Sequence, residues 1–166
     1  RRKMEDLLLG LAGSFPTPIA LDESLVGEGD IERWIGAGWP GVFVVKPALI
    51  GDVNSALARL EKAKASVVFS SALETAVGAK AALQAAFRWN GGPTAREFGT
   101  PLSGKATEFT ENRPAYTRAT TSRLALGFGV WPLFADARCD GPYAAPFLRR
   151  EDVEALNPGA VWNVLS

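Results

Sequence analysis

Two adjacent carboxylates, Asp22 and Glu23, close the short apolar run Ile19-Ala20-Leu21, and twenty-four positions after Asp22 a single ammonium, Lys46, closes the run Val42-Phe43-Val44-Val45. Carboxylates of this kind can hold a hard cation or move a proton. A lysine beside one can stabilise developing negative charge, or act as acid and base where its pKa is brought down. Two further polar groups follow in the same rhythm. Ser70 and Ser71 end the run Val67-Val68-Phe69, and Gly127 and Gly129 interrupt the apolar segment Leu124 to Val130. Hydroxyls and glycine-exposed backbone N–H groups at such ends are suited to an anion. Each feature has a plainer alternative. The carboxylates could be solvated charges at a strand end, Lys46 could lay its stem over the core, the serines could cap the next helix, and the glycines could relax a turn. On a strand, Asp22 and Glu23 point to opposite sides, so one is a ligand candidate and the other a supporting group.

The elements that must position these residues are legible from periodicity. Met4, Leu7, Leu8 and Leu11 fall at helical spacing and open the chain with an amphipathic helix. Strands are expected at Ile19–Glu23, Gly41–Lys46, Ser66–Ser71 and Leu124–Val130, the second apolar throughout as in a parallel strand buried on both faces. Between them lie a helix beginning after Asp30 as N-cap, another introduced by Gly51-Asp52 with Val53, Leu57 and Leu60 on one face, and an Ala-rich helix over Glu74–Phe87. The stretch from Asn90 to Ser122, rich in Gly, Pro, Thr and charge, reads as a long loop or excursion. A further amphipathic turn falls near Asp152 to Leu156. Alternating helices and strands with short connections predict an α/β fold with about four parallel strands. Right-handed crossovers bring all their C-terminal ends, and so all the polar groups above, to one edge.

Composition narrows the function classes. The chain has 166 residues, 18 Lys plus Arg balanced by 18 Asp plus Glu, no histidine and one cysteine. Balanced charge argues against nucleic acid and membrane surfaces as partners. The absence of histidine excludes Ser-His-Asp, Cys-His and His-based zinc chemistry within these residues, and Cys139 alone cannot form an internal disulfide. Cys139 and Met4 read as structural. No apolar run approaches the roughly 20 residues of a membrane span, so a cytoplasmic location is expected. A complete eight-stranded (β/α) barrel needs about 250 residues. The chain opens on Arg1 within a helical pattern, so it reads as a piece of a longer protein.

The motifs resemble those of a known family. Thr17-Pro18-Ile19-Ala20-Leu21-Asp22-Glu23-Ser24 is similar to the strand of enolase-superfamily barrels that carries the third magnesium-binding carboxylate, and Val44-Val45-Lys46-Pro47 to the next strand, with its active-site lysine. Phe69-Ser70-Ser71-Ala72-Leu73-Glu74-Thr75 and Leu126-Gly127-Phe128-Gly129 are similar to the strand ends that contact the succinyl carboxylate in o-succinylbenzoate synthases. The runs Lys46-Pro47-Ala48-Leu49-Ile50-Gly51, Leu133-Phe134-Ala135-Asp136 and Trp162-Asn163 favour that subgroup.

The resemblance implies that residues 1–166 form the fifth to eighth βα region of a (β/α) barrel, without the capping domain and the first half. It implies Asp22 as a Mg²⁺ ligand with the other ligands outside this chain, Glu23 supporting it, and Lys46 as the catalytic cation. Ser71, the closer counterpart, with Ser70 and Gly127, would bind a small-molecule carboxylate substrate. The activity implied for the whole enzyme is dehydration of 2-succinyl-6-hydroxy-2,4-cyclohexadiene-1-carboxylate on the route to menaquinone or phylloquinone. N-succinylamino acid racemases and dipeptide epimerases share the Asp and Lys positions, and a non-catalytic half-barrel is a third reading. Half a barrel leaves open sheet edges, so pairing with the missing half, or self-association, is expected.

Overall fold

The computed structural model describes residues 2–89, 126–143 and 148–165; the expected loop from Asn90 to Ser122 lies outside them, as do Leu124 and Ala125. Four strands, β1 (Ala20–Leu21), β2 (Val42–Val45), β3 (Ser66–Ser70) and β4 (Leu126–Gly127), lie in sequence order in one parallel sheet. Helices α1 (Arg2–Ser14), α2 (Glu28–Gly36), α3 (Val53–Lys62) and α4 (Ala76–Arg88) alternate with the strands, and α5 (Arg150–Glu154) and α6 (Pro158–Leu165) close the chain. The expected α/β architecture with four parallel strands is what the described residues form. Among the described residues no helix is long and apolar enough to cross a membrane.

Alternation along β2 and β3 separates two faces. Phe43, Val45, Val67 and Phe69 join Trp34, Ile31, Leu60 and Leu83 in the main core between sheet and helices. Val42, Val44, Val68 and Ser70 take the other face, since successive side chains on a strand point to opposite sides. The register Val45↔Phe69 keeps like faces together across the sheet. Gly41 lets β1 approach β2, because a Cβ there would stand 2.1 Å from the Ile19 carbonyl oxygen.

The helix signals acted with two exceptions. Asp52 is the N-cap of α3, its carboxylate accepting from the Ser55 N–H at 3.0 Å. Asp30 is not an N-cap: Gly27 holds that position and α2 begins at Glu28, so Asp30 sits in the first turn and reaches back to accept from the Val26 N–H at 3.2 Å. The C-terminal helix α6 was not anticipated. Its signal was present in Asn157-Pro158: proline suits the first helical turn, and the Asn157 side chain accepts from the Gly159 N–H at 3.0 Å.

In α1 the anticipated apolar stripe divides. Leu8, Leu9 and Ala12 pack on the core, while Met4, Leu7 and Leu11 stay 60%, 61% and 44% exposed. Cys139 is buried against Ala76 and Val161 in a smaller core, as a structural residue would be.

Candidate functional site

The parallel order puts Asp22, Glu23, Lys46, Ser70, Ser71 and Gly127 at the C-terminal edge of one sheet, as alternation of helix and strand requires. Register then decides which of them share a face. Lys46 keeps an extended backbone and follows Val45, so it falls on the face of Val42 and Val44. One step beyond Val45↔Phe69 it is level with Ser70, and Ser70 is level with Gly127. Lys46, Ser70 and Gly127 therefore form a row across three strands, on the face away from the helix-packed core. Adjacent strands are about 4.8 Å apart, close enough for one small ligand to meet all three.

Lys46 is the electrostatic centre of this edge. Its ammonium lies 2.7 Å from an Asp22 carboxylate oxygen and 3.2 Å from one of Glu23, with only 14% of its side chain exposed. The Asp22 carboxylate holds its pKa above the usual lysine value, against the opposing effect of burial, and Glu23 adds to the rise. The expectation that only one of Asp22 and Glu23 could face the site does not hold. Strand β1 ends at Leu21 and the chain turns, with the Leu25 N–H donating to the Asp22 carbonyl at 3.0 Å, so strand alternation no longer applies and both carboxylates reach the same ammonium.

The two serines differ sharply. Ser70 is half-buried, and its hydroxyl donates to the Gly127 carbonyl at 3.2 Å; that carbonyl also accepts from the Ser71 N–H at 3.0 Å. Gly127 is what makes room for it, since a Cβ at 127 would stand 2.6 Å from the Ser70 hydroxyl oxygen. Ser71 is buried on the other side of the strand end, where its hydroxyl donates to Glu74 at 2.8 Å and accepts from the Leu73 N–H at 2.9 Å. Glu74 was missed as a site residue. The Ser71-x-x-Glu74 spacing ahead of an apolar helix was the available signal, a pattern in which hydroxyl and carboxylate satisfy loose backbone donors.

Beyond β4, Asp140 was also missed. It is buried, accepting from the Leu133 and Phe134 N–H groups at 2.9 and 3.1 Å and from the Tyr143 hydroxyl at 2.6 Å, so it organises the loop leaving the sheet edge beside Gly127. These donors, the Tyr143 hydroxyl foremost, hold its carboxyl below the ordinary range, and the bond to that carboxylate pushes the Tyr143 phenol up.

As metal donors, Asp22 and Glu23 supply the hard oxygens that Mg²⁺ prefers, and Asp22 is half-exposed. They are a pair only: among the described residues no group of three or more His, Cys, Asp or Glu could hold a metal ion. The donor chemistry thus fits a contribution to a divalent-cation site and not a whole one.

About half of the chain is similar to a known enzyme. No protein-family profile matches the chain. Over 84 residues it is 44% identical to o-succinylbenzoate synthase of Thermosynechococcus vestitus, an alignment covering 49% of this chain. Over that half, the chain is similar to o-succinylbenzoate synthase. The family resemblance of the motifs is thereby borne out. The chain spans 26% of the length of that curated relative. A crystal structure of o-succinylbenzoate synthase from Thermosynechococcus elongatus BP-1, complexed with Mg in the active site, is 40% identical with a TM-score of 0.48, covering 54% of this chain and 28% of that one.

Proposed function

We propose that residues 1–166 are the fifth to eighth βα region of the barrel of an o-succinylbenzoate synthase, a carbon–oxygen lyase. The reaction of the whole enzyme is the syn dehydration of 2-succinyl-6-hydroxy-2,4-cyclohexadiene-1-carboxylate to 2-succinylbenzoate, in quinone biosynthesis in the cytoplasm. The observation that carries this reading is the juxtaposition at the sheet edge: a mostly buried ammonium, Lys46, against Asp22 and Glu23, level with the Ser70 hydroxyl and Gly127.

Dehydration requires loss of a weakly acidic proton α to a carboxylate, so the developing enediolate must be stabilised. Asp22 is assigned as one ligand of a Mg²⁺ ion completed by residues outside this chain; when bound, such an ion supplies Lewis-acid stabilisation of the substrate carboxylate. Lys46 contributes fixed positive charge on the enediolate, kept in place by Asp22 and Glu23. The group that removes the α-proton and protonates the departing hydroxide lies outside this chain. Ser70 and Gly127 are assigned to the distal carboxylate of the substrate, Ser71 to holding the strand end through Glu74, and Glu23 supports the Asp22–Lys46 pair.

The test is Mg²⁺-dependent dehydration by the full-length protein that carries this chain. Lys46→Ala and Asp22→Ala are each expected to lower kcat/KM about 10²–10³-fold, the scale of a lost electrostatic stabiliser. Retention of activity by either variant sinks its assigned role. Racemisation of N-succinylamino acids without dehydration would keep the architecture and replace the reaction. The 166 residues alone are expected to show no appreciable turnover, because they lack the remaining ligands and the base; robust Mg²⁺-dependent activity from them would refute the partial-barrel reading.

A further inference from the structure

The loop between β3 and α4 holds a bulky residue in an uncommon backbone conformation. Leu73 has φ of +64°, in the left-handed region that bulky side chains rarely adopt and that Gly or Asn would enter at lower cost. Its side chain is nonetheless 62% exposed, so packing inside the chain does not repay that cost. Three bonds impose the conformation. The Ser71 hydroxyl accepts from the Leu73 N–H at 2.9 Å and donates to Glu74 at 2.8 Å, and the same Glu74 oxygen accepts from the Ala72 N–H at 2.6 Å. Bonds to a carboxylate are about twice as strong as neutral ones, which makes Glu74 the anchor of the brace. Strain held this firmly, three residues beyond Ser70 at the edge that carries Lys46, is the pattern of a functional constraint.

We propose that Leu73 is a specificity-determining residue, held out by the Ser71–Glu74 brace to contact the apolar part of a dicarboxylate ligand whose carboxylate lies at the Ser70 and Gly127 strand ends. Glu74 is then a positioning residue acting through Leu73. The inference rests on the reading above and adds the apolar contact to it.

The experiment measures binding of 2-succinylbenzoate to the full-length protein by calorimetry, with Mg²⁺ present, so it does not depend on turnover. Leu73→Asn keeps easy access to the left-handed conformation and removes the apolar surface. It is expected to weaken binding about tenfold, with a melting temperature equal to or above that of the parent. Leu73→Gly should behave alike and serves if the Asn variant misfolds, and Leu73→Met should bind within about twofold of the parent because it restores apolar area. Glu74→Ala is expected to weaken binding too, and to add little to Leu73→Asn, since both act through one contact. Unchanged affinity of Leu73→Asn or Leu73→Gly overturns the proposal, and full additivity of the double variant overturns the role of Glu74. A parent that does not bind 2-succinylbenzoate would instead overturn the synthase reading, and this inference with it.

Discussion

Helices α1 and α4 are each 13 residues long and amphipathic, yet the chain treats them oppositely. Helix α4 buries Ala76, Ala79, Ala82, Leu83, Ala85 and Ala86, meeting β3 on one side and the C-terminal helices on the other. Helix α1 packs Leu8, Leu9 and Ala12 on the core, is tied to α2 by the ion pair Glu5–Arg33 at 2.9 Å, and leaves Met4, Leu7 and Leu11 well exposed. The difference follows from place in the sheet. Helix α4 covers an interior strand, whereas α1 precedes β1, which among the described residues pairs only with β2. An apolar stripe states that a helix has something to bury; whether this stretch of chain supplies the cover is a property of the sheet order. On the partial-barrel reading proposed above, the outward stripe of α1 is where a neighbouring βα unit would pack.

The sharpest way to break this comparison is to truncate one leucine on each helix. Leu83 is wholly buried, so Leu83→Ala removes its packing and leaves a cavity, and unfolding in denaturant should show a loss of about 2–5 kcal/mol. Leu7→Ala, at a residue 61% exposed, should change stability by less than about 0.5 kcal/mol. Equal losses at the two sites would mean that α1 is buried by something else in the folded state.

A smaller effect tests how α4 acquires its cover. The Lys80 ammonium donates to the Glu154 and Leu156 carbonyls at 3.0 and 2.7 Å, closing the C-terminal end of α5 onto α4. Lys80→Met keeps the stem and removes both charged donors, for an expected loss of about 1–3 kcal/mol. Hydrogen exchange should localise the loosening to α5 and α6. Uniform loss of protection would show instead that α5 and α6 open only with the rest of the fold and are not a separate unit.

What the sequence alone could supply divides along the same line. Local and periodic signals were readable: the unbroken apolar run of β2, Asp52 as N-cap, and Lys46, which is conspicuous because an ammonium ends a buried strand. Signals that depend on register or on a turn were not. The serine that shares a face with Lys46 is fixed by the alignment of β2 with β3, and a shift of one residue exchanges Ser70 for Ser71. Asp22 and Glu23 meet one ammonium only because β1 stops at Leu21. Asp140 carries no mark at all in sequence, since two of its partners are backbone N–H groups of Leu133 and Phe134.

The least effect on stability, and the clearest on assembly, is expected at the α1 stripe. A second copy of the chain, or on the proposed reading the rest of a barrel, would bury this face beside the edge of β1 that is open among the described residues, because unpaired strand edges and exposed apolar stripes both favour association. Leu7→Gln with Leu11→Gln should leave the unfolding free energy within about 0.5 kcal/mol, as both residues are already exposed. In sedimentation, the parent chain is expected to be heavier than a monomer at micromolar concentration and the double variant lighter than the parent. A parent that is monodisperse and monomeric with a cooperative melt would show that the face needs no cover. A parent that associates equally well with and without the two leucines would move the interface to the sheet edges, where the backbone of β1 and β4 left without a partner strand among the described residues would have to account for it.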